Sequence, residues 1–440
     1  MSVIKEITKI PVAGYISQYN DIVKSFLPDM TSLKGSAIKR FEELGFPTKK
    51  NEEWKYTDVS VFLKNNFIPA ENNLKLTIAD IKSFIPVSEK QIVLVFENGA
   101  FNKELSQLAA LPKGLIAGDL KSNAHHVAVK THLGKIATDK NESFVALNTA
   151  LFHQGAFVYA DKNFNSEFVI QLLFINDARE NPSVCYPRNL YVAEQSAALK
   201  ISENYYSIQA VNSSFCNSVS EIFIGENASV EVCKNEAENN NDFHIDYTGI
   251  VQCKNSKLLI NTITSGGGMV RNNLRIELRE KNCSAYLNGL SVISGESHVD
   301  NHSFVDHASP DCYSNELYKG VLDEKARGVF NGKIFVRKDA QKTNAYQSNK
   351  SMLLSDDATM NSKPQLEIYA DDVKCSHGAT TGQLDPEAMF YFRSRGIGET
   401  TARALLTNAF AEEILDKITI SQTREMLKSL IHDKLAKAEK

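Results

Sequence analysis

Apolar residues near the start of the chain recur with the spacing of an α-helix. The first predicted helix has an apolar face made of Tyr15, Tyr19, Ile22, Val23 and Phe26. Pro28 ends that run, because proline lacks the amide hydrogen that a helix interior needs. The apolar face of a second short helix consists of Ile38, Phe41 and Leu44, and Gly45 with Pro47 marks its end. Residues 1–73 are therefore predicted to be an N-terminal helical segment with a connector at residues 51–57.

Between residues 74 and 384 the pattern changes to short β-rich runs separated by small polar turns, with no helical period long enough to compete. Three similar turns recur about 27 to 28 residues apart, at Gly225–Ala228, Cys253–Ser256 and Glu280–Cys283. Further turns follow about 15 to 17 residues apart, at Asp323, Asp339, Asp356 and Asp371. A repeat of two or three strands cannot bury its own apolar face, so successive copies must stack. These repeats predict a parallel β-helix, and they leave an antiparallel β-sandwich open as the alternative.

Helical signals return at residue 385. Asp385 can cap exposed backbone amides, Pro386 suits the first helical position, and Gly396 ends the short helix between them. The apolar face of the next predicted helix consists of Ala402, Leu405, Leu406, Ala409, Phe410 and Ile414. The apolar face of the last helix consists of Met426, Leu427, Leu430, Ile431 and Leu435. Residues 385–440 are therefore predicted to be a C-terminal helical domain.

Charge and composition exclude several classes of protein. The 440 residues include 49 basic and 53 acidic ones, and the net charge of -4 does not provide the basic footprint of a nucleic-acid-binding protein. No segment approaches the ~20 apolar residues of a membrane span, and residues 1–11 lack the apolar core of a signal peptide. Seven irregularly spaced cysteines do not form the framework of a small secreted domain. We therefore expect a reduced, cytoplasmic protein without nucleic-acid or membrane partners.

The strongest candidate for chemistry is the segment Val373–His377. Strand alternation would place Cys375 and His377 on one face and Lys374 on the other. Thiolate and imidazole both bind iron, so the pair could contribute to a metal or cluster site. Two ligands do not complete such a site, and the other donors must come from distant residues or from another subunit. The alternative is structural, with Cys375 as a small buried apolar residue and His377 as a hydrogen-bonded interior one.

A second candidate cluster contains three histidines, His298, His302 and His307. His298 and His302 would share a face in either a strand or a helix. Asp300 and Asp306 could accept hydrogen bonds from histidines that bind a metal. The alternative is that these side chains form turn or inter-coil hydrogen bonds within the solenoid.

Two glycine-containing segments fail to match nucleotide-binding motifs. Gly328–Ile334 has three residues between its glycines where a phosphate loop needs four, and isoleucine where that loop has serine or threonine. Gly266–Gly268 lacks the strand, turn and helix context of a dinucleotide site and favours an unusual turn instead. Neither segment therefore predicts an ATPase or a dinucleotide-binding protein.

Several longer motifs resemble the SufB/SufD family of iron-sulfur cluster assembly proteins. They are NEEWKYT at residues 51–57, NELYKGVL at 315–322, KARGVFNG at 325–332, YADDVKCSHGAT at 369–380 and FYFRSRG at 390–396. Gly378, the segment Gly382–Asp385 and the tryptophan motif resemble SufD more than SufB, which is the alternative. The resemblance spans nearly the whole chain, although residues 80–250 match in texture more than in specific motifs.

This resemblance implies a mainly β protein, with a right-handed parallel β-helix at residues 74–384 between N-terminal and C-terminal helical segments. It also implies a non-catalytic scaffold that pairs with SufB through the β-helix and carries the ATPase SufC on its C-terminal helices. Cys375 and His377 would lie at or near the SufB interface, where His377 would help to acquire iron or hold a nascent iron-sulfur cluster. No cofactor is expected to bind this chain tightly, and a flavin is proposed for the assembled complex.

A physical argument independent of the family also predicts a partner. A β-solenoid exposes unpaired strand edges, which another chain must cover. A SufB-like solenoid is the expected partner, and a homodimer is one state open to the isolated chain. The rival from another class is a polysaccharide-cleaving β-helix enzyme, but the carboxylates cluster at turns and form no identifiable acid/base pair. A purely structural solenoid that binds proteins is the third interpretation.

Overall fold

The structure, a computed structural model, describes residues 12–21, 23, 28–69, 75–86, 88, 90–108, 111–138 and 140–437. Two β-sheets form its centre. Sheet A contains β1 (Ile68–Pro69), β4 (Leu115–Asp119), β5 (Ala156–Ala160), β7 (Ser183–Cys185), β8 (Arg188–Ala193), β10 (Ser214–Ile224), β12 (Phe243–Gln252), β14 (Met269–Leu278), β16 (His298–His307), β18 (Arg327–Val336) and β20 (Thr359–Ile368). Sheet B contains β2 (Gln91–Glu97), β3 (Ala100–Gln107), β6 (Val169–Asn176), β9 (Ala198–Ser207), β11 (Ser229–Ala237), β13 (Lys257–Thr264), β15 (Ser284–Ile293), β17 (Tyr313–Leu322), β19 (Thr343–Leu353) and β21 (Val373–Gly382).

The two sheets are opposite walls of a parallel β-helix of about eight turns. From β8 onward in sheet A and β6 onward in sheet B, each strand pairs in parallel with the equivalent strand of the next coil. The pairing is continuous, as between β14 and β16, where ten residue pairs are in register. The parallel β-helix predicted from the repeats is therefore confirmed, and the sandwich alternative is wrong.

The three similar turns found in the sequence each contain an asparagine with positive φ. Asn227, Asn255 and Asn282 have φ values of 60°, 58° and 62°. Asparagine adopts this left-handed conformation more readily than most residues. The amide of Asn255 donates to Asn227 at 2.9 Å and that of Asn282 donates to Asn255 at 2.8 Å. The recurring sequence thus corresponds to a hydrogen-bonded ladder of stacked turns.

Alternate residues of each strand fill the interior. One in-register column runs along sheet B through Ile201, Val232, Ile260 and Leu287, and all four residues are buried. Because neighbouring strands lie ~4.8 Å apart, each coil extends the column by one side chain. Burial of these stacked apolar columns is the main source of stability, at roughly 25 cal/mol per Å².

Helices precede the solenoid. Residues 12–21 are helical, followed by α1 (Pro28–Leu44), α2 (Ser60–Leu63), α3 (Ile78–Ile81) and the short 3-10 helices Glu52–Trp54 and Lys82–Phe84. The predicted second helix is confirmed, because α1 ends before Gly45, which has a φ of 62°, and buries Phe41. Pro28, predicted to end the first helix, is the first residue of α1. Ile22 and Phe26, assigned to the first predicted helix, lie outside the described residues.

The prediction that residues 74–384 lack a competing helix is wrong at α3, with the 3-10 helix after it, and between β4 and β5. Those antiparallel strands are connected through α4 (Val127–His132) and α5 (Ser143–Leu151). Every residue of α5 from Phe144 onward is buried. A helix without a polar face carries no 3.6-residue alternation of polar and apolar positions, so periodicity cannot reveal it.

The C-terminal helices are α6 (Pro386–Ser394), α7 (Glu399–Leu415) and α8 (Ser421–Lys437). The predicted boundaries of the first are confirmed, because Asp385 accepts a hydrogen bond from the Glu387 amide at 2.9 Å and Gly396 has a φ of 82°. Helices α7 and α8 cover the outer face of sheet B through a shared apolar cluster. The predicted face of α7 is partly wrong, since Leu405 is exposed while Thr407 is buried. Among the described helices, none combines the length and apolar character needed to cross a bilayer.

Candidate functional site

Cys375 and His377 lie on β21, the last strand of sheet B. This strand pairs with β19, which places Cys375 beside Ala345 and His377 beside Gln347. Ala345 belongs to the interior apolar cluster that Cys375 also contacts. Because residues two apart share a face of a strand, His377 lies on the same inner face as Cys375. The strand and the shared face predicted for this pair agree with the structure.

The two side chains differ in burial. Cys375 is half-buried and His377 is exposed, as are Lys374 and Ser376 on the outer face. Burial raises the pKa of the Cys375 thiol above its ordinary value, so the free thiol carries its proton at neutral pH. A soft metal ion bound at its sulfur would displace that proton.

The column that contains His377 changes from apolar to polar as it approaches the end of the solenoid. Leu287, Glu316, Gln347 and His377 occupy successive in-register positions on β15, β17, β19 and β21. The side-chain amide of Gln347 donates a hydrogen bond to Glu316. Both of these polar residues are buried, so a buried polar pair lies behind the exposed imidazole.

The surroundings of Glu316 and Gln347 change the ionisation of the first and leave space for the second. Burial raises the pKa of Glu316 from 4.5 to about 7. On the opposite wall, a Cβ atom added to Gly332 would lie 2.3 Å from the amide nitrogen of Gln347. The glycine therefore provides the space that the glutamine side chain occupies. Sequence patterns missed Glu316 and Gln347, although Glu316 stands where the preceding coil has the apolar Leu287.

The uncovered end carries several exposed apolar side chains. Ile368 ends β20 and Tyr369 follows it, and the two side chains are 38% and 59% exposed. On α6, which has no buried residue, Phe390 and Tyr391 are 74% and 54% exposed. In the described part of the chain, no further strand pairs with the outer edges of β20 and β21. Exposed apolar side chains therefore lie where β20 ends and on the helix that follows the edge strand β21 in the chain.

The three histidines of the second candidate cluster do not converge. His298 and His302 lie on the outer face of β16, whereas His307 is buried on the opposite face and bonds Ser314 at 2.8 Å. Burial lowers the pKa of His307 to about 3. Within the described ranges, no group of three or more His, Cys, Asp or Glu side chains could hold a metal ion. The histidines belong to hydrogen-bonding networks, as in the alternative interpretation.

His298 and His302 instead anchor the NEEWKYT segment, residues 51–57, to sheet A. Nε2 of His298 is 2.8 Å from the hydroxyl of Thr57, and Nδ1 of His302 is 3.4 Å from the Glu53 carboxylate. Nε2 of His302 is 2.8 Å from Asp300. Asp300 also accepts hydrogen bonds from Thr57 and Arg271. We call residues 51–57 the N-terminal strap.

Arg271 is the centre of the contact between the strap and the solenoid. Its guanidinium lies 3.7 Å from the centre of the Trp54 ring and donates to the Glu53 carbonyl at 2.8 Å. It also forms a buried ion pair with Asp300 at 2.5 Å. Although burial opposes ionisation, Arg271 beside Asp300 holds the pKa of that carboxyl well below its usual range. The tryptophan of the strap therefore packs on a cation that the solenoid fixes in place.

Both glycine-containing segments are parts of the solenoid. Gly328–Ile334 lies within β18, where no loop could wrap a phosphate. Gly266–Gly268 connects β13 to β14, and Gly267 has a φ of 85°. A Cβ atom at Gly266 would lie 2.1 Å from the Glu238 carbonyl oxygen. This turn is followed by a strand, so it lacks the helix N-terminus that binds the pyrophosphate of a flavin or nicotinamide dinucleotide.

Fold and site together define the class of protein. It is a parallel β-solenoid with helical segments at both ends, whose uncovered last coil presents a thiol and an imidazole. Residues 174–410 match the SUF system FeS cluster assembly SufBD core domain, and residues 12–172 match the SufBD protein N-terminal region. The chain belongs to the SufBD family, which acts in iron-sulfur cluster assembly.

Relatives match along most of their length. An iron-sulfur cluster assembly SufBD family protein of Synechocystis is 36% identical over 397 residues, which cover 88% of this chain and 87% of that protein. The iron-sulfur cluster assembly protein SufD of Escherichia coli is 26% identical over 402 residues, covering 90% and 91%. SufD of Bacillus subtilis is 24% identical over 418 residues, covering 92% and 94%. The resemblance to SufD found in the motifs is thus confirmed.

Proposed function

We propose that this chain is a non-catalytic scaffold subunit whose last coil pairs with a SufB-like solenoid, and that His377 and Cys375 take part in iron acquisition and cluster assembly at that junction. The observation that carries the proposal is the edge strand β21, which presents both side chains where the solenoid is uncovered. Membership of a family that acts in iron-sulfur cluster assembly supports a cluster as the cargo.

Pairing with a second solenoid would provide hydrogen-bond partners for the backbone groups of the free strand edge. An edge strand exposes a row of backbone N–H and C=O groups, which readily pair with another chain. Ile368 and Tyr369 beside that edge would lose exposed apolar surface in the same contact. A specific partner therefore gains both hydrogen bonds and apolar burial at this end.

The site chemistry also favours a shared arrangement. Iron in a cluster requires more donors than one thiolate and one imidazole. The chain's own residues would bind the incoming iron or cluster edge, with Cys375 releasing its thiol proton as its sulfur becomes a ligand. The remaining donors would come from the partner. In this proposal the cluster is cargo, the chain holds no resident cofactor, and any flavin of the assembly binds elsewhere.

The C-terminal helices are the proposed docking site for a SufC-like ATPase. Helices α7 and α8 are fixed to sheet B by their buried apolar residues. Helix α6 leaves Phe390 and Tyr391 largely exposed. A rigid support with an exposed aromatic face would transmit movement of a docked ATPase to the adjacent β21.

The proposal is tested by affinity purification of the full chain from cells, followed by mass spectrometric identification of its partners. Tyr369→Glu places a charge beside the uncovered edge, and Tyr286→Glu is the matched control because Tyr286 is also exposed, at 46%, but lies on β15. Wild type and Tyr286→Glu should recover a second solenoid chain and an ATPase. Tyr369→Glu should lose the solenoid partner. Recovery of the chain without a solenoid partner in all three samples would contradict the proposal.

A further inference from the structure

Cys283 and Cys312 occupy equivalent corners of adjacent coils. Each directly follows a residue with positive φ, Asn282 or Asp311, and the Tyr313 amide donates to the Cys283 carbonyl at 2.9 Å. Adjacent parallel strands lie ~4.8 Å apart. Disulfides join Cα atoms roughly 4.4 to 6.8 Å apart, so the spacing of the coils suits a bond between these two residues.

The corner accepts only small side chains. One kind of backbone hydrogen bond, from the amide after the corner residue of one coil to the carbonyl of the corner residue in the preceding coil, identifies the equivalent positions. The residues at these positions in successive coils are Ala197, Ala228, Ser256, Cys283, Cys312 and Thr343. Serine therefore fits this corner one coil before Cys283. A cysteine-to-serine substitution there removes the reactive sulfur and keeps a side chain that the corner already contains.

The two thiols contact each other and one common acceptor. Sγ of Cys283 lies 3.0 Å from the Glu280 carbonyl oxygen, and Sγ of Cys312 lies 3.3 Å from the same atom. Hydrogen bonds from the Cys312 thiol and from the Ser256 hydroxyl lower the pKa of Cys283. The hydrogen bond to Cys283 raises the pKa of Cys312. Cys283 therefore has the lower pKa of the two thiols, and Cys312 lies in contact with its sulfur.

We infer that Cys283 and Cys312 form a dithiol that hydrogen peroxide oxidises to an inter-coil disulfide. The Cys283 thiolate attacks one peroxide oxygen, forming an S–O bond, breaking the O–O bond and releasing hydroxide that is protonated to water. Cys312 then attacks the Cys283 sulfur, forming the S–S bond and breaking the S–O bond. The departing hydroxide and the Cys312 proton make a second water. Two thiols lose two electrons, and one peroxide gains them.

Burial restricts the oxidant to a small one. Both cysteines are buried, but Cys283 directly follows the exposed turn residues Lys281 and Asn282. Peroxide is small enough to enter beside that turn, whereas larger thiol reagents require the corner to open. The site is therefore selective for small oxidants over bulky alkylating agents.

The chain contains a matched control pair. Cys185 and Cys216 are also in register on neighbouring strands and are also buried. Burial raises the pKa of Cys216, which keeps its thiol protonated and unreactive. The effect of proximity alone is thus tested, within the same molecule, on a pair in which the Cys216 thiol stays protonated.

The experiment treats the reduced full-length chain with hydrogen peroxide, unfolds it in N-ethylmaleimide to alkylate all remaining thiols, and maps disulfides by peptide mass spectrometry. We expect a linked Cys283–Cys312 peptide whose mass is about 2 Da less than the sum of the two thiol peptides. Dithiothreitol should reduce it back to those two peptides. It should form about tenfold or more faster than any Cys185–Cys216 product. In Cys312→Ser, Cys283 should be trapped as a sulfenic acid, which is detected by unfolding a second sample in dimedone.

Two results would overturn the inference. One is complete alkylation of Cys283 and Cys312 after a peroxide treatment that oxidises the half-buried Cys375. The other is an unchanged pattern of oxidised products in Cys312→Ser, because the resolving sulfur would then have no role. A circular dichroism spectrum equal to that of wild type establishes that the serine variant is folded.

Discussion

Gln347 and His377 occupy in-register positions on adjacent strands, yet Gln347 is only 3% exposed while His377 is exposed. One step of ~4.8 Å between strands therefore crosses from the interior to the surface. On the interior side, Gln347 donates to the buried carboxyl of Glu316. The inner wall of the solenoid becomes, at its last coil, the surface offered to a partner.

The first prediction concerns the pH dependence of stability. The pKa of Glu316 is about 7 in the folded chain against an ordinary 4.5, so the folded state retains a proton that the unfolded state loses. Stability should therefore fall as pH rises from 4.5 to 7, by about 3 kcal/mol from this group, and then level off. Urea unfolding across this range should show a smaller fall for Glu316→Gln, which removes the titration.

The comparison isolates one carboxyl, since all other titrating groups are common to both proteins. Glu316→Gln keeps a side-chain oxygen that can accept from Gln347. Parallel stability curves for wild type and variant between pH 4.5 and 7 would show that Glu316 ionises at an ordinary pKa.

The second prediction concerns the space that Gly332 leaves for Gln347. Gly332→Ala would place a Cβ atom 2.3 Å from Gln347 and 2.6 Å from the Phe330 ring. Such overpacking should lower the free energy of unfolding by about 1 to 3 kcal/mol. Gly378→Ala is the matched control, because nothing lies within 4 Å of its added Cβ atom. Equal denaturation midpoints for the two variants would contradict the packing described here.

The third prediction concerns the N-terminal strap. Asp300→Ala leaves the buried guanidinium of Arg271 without its carboxylate and should cost about 3 to 5 kcal/mol of stability. Lys363→Ala removes the exposed ion pair with Glu52 of the same strap and should cost less than about 1 kcal/mol. Urea unfolding measures both. A small loss in Asp300→Ala, like that in Lys363→Ala, would mean that Arg271 does not depend on Asp300.

The fourth prediction concerns movement in the assembled complex. If ATP-driven motion of an ATPase docked on the C-terminal helices reaches β21, the exposure of Cys375 should change during the ATP cycle. Maleimide labelling of Cys375 in the full complex should therefore differ with and without ATP, whereas labelling of half-buried Cys253 should not. Identical labelling of Cys375 in both states would contradict the proposed coupling between the ATPase and β21.

Sequence patterns predicted the solenoid because its turns repeat. Asn227, Asn255 and Asn282 satisfy the same backbone requirement at a regular interval. The helix α5 escaped prediction because it is buried all round and has no amphipathic period.

The candidate site was predictable only where its residues are close in sequence. Cys375 and His377 are two residues apart on one strand, so alternation alone places them together. Glu316 and Gln347 lie in the same column as His377 because of the register between strands of successive coils. That register depends on the exact length of every turn, which the sequence pattern does not give. The spacing of His298 and His302 indicated their shared face, but nothing local showed that Thr57, more than two hundred residues away, forms a hydrogen bond with His298.

The most direct test of the central claim is the activity of iron-sulfur enzymes in cells that depend on this chain, measured together with recovery of its partners. His377 is exposed on an edge strand, so His377→Ala should fold and retain its partners, as should Ser376→Ala, which faces the other way. The account predicts that His377→Ala lowers iron-sulfur enzyme activity while Ser376→Ala does not. Normal activity in His377→Ala with the complex intact would contradict it.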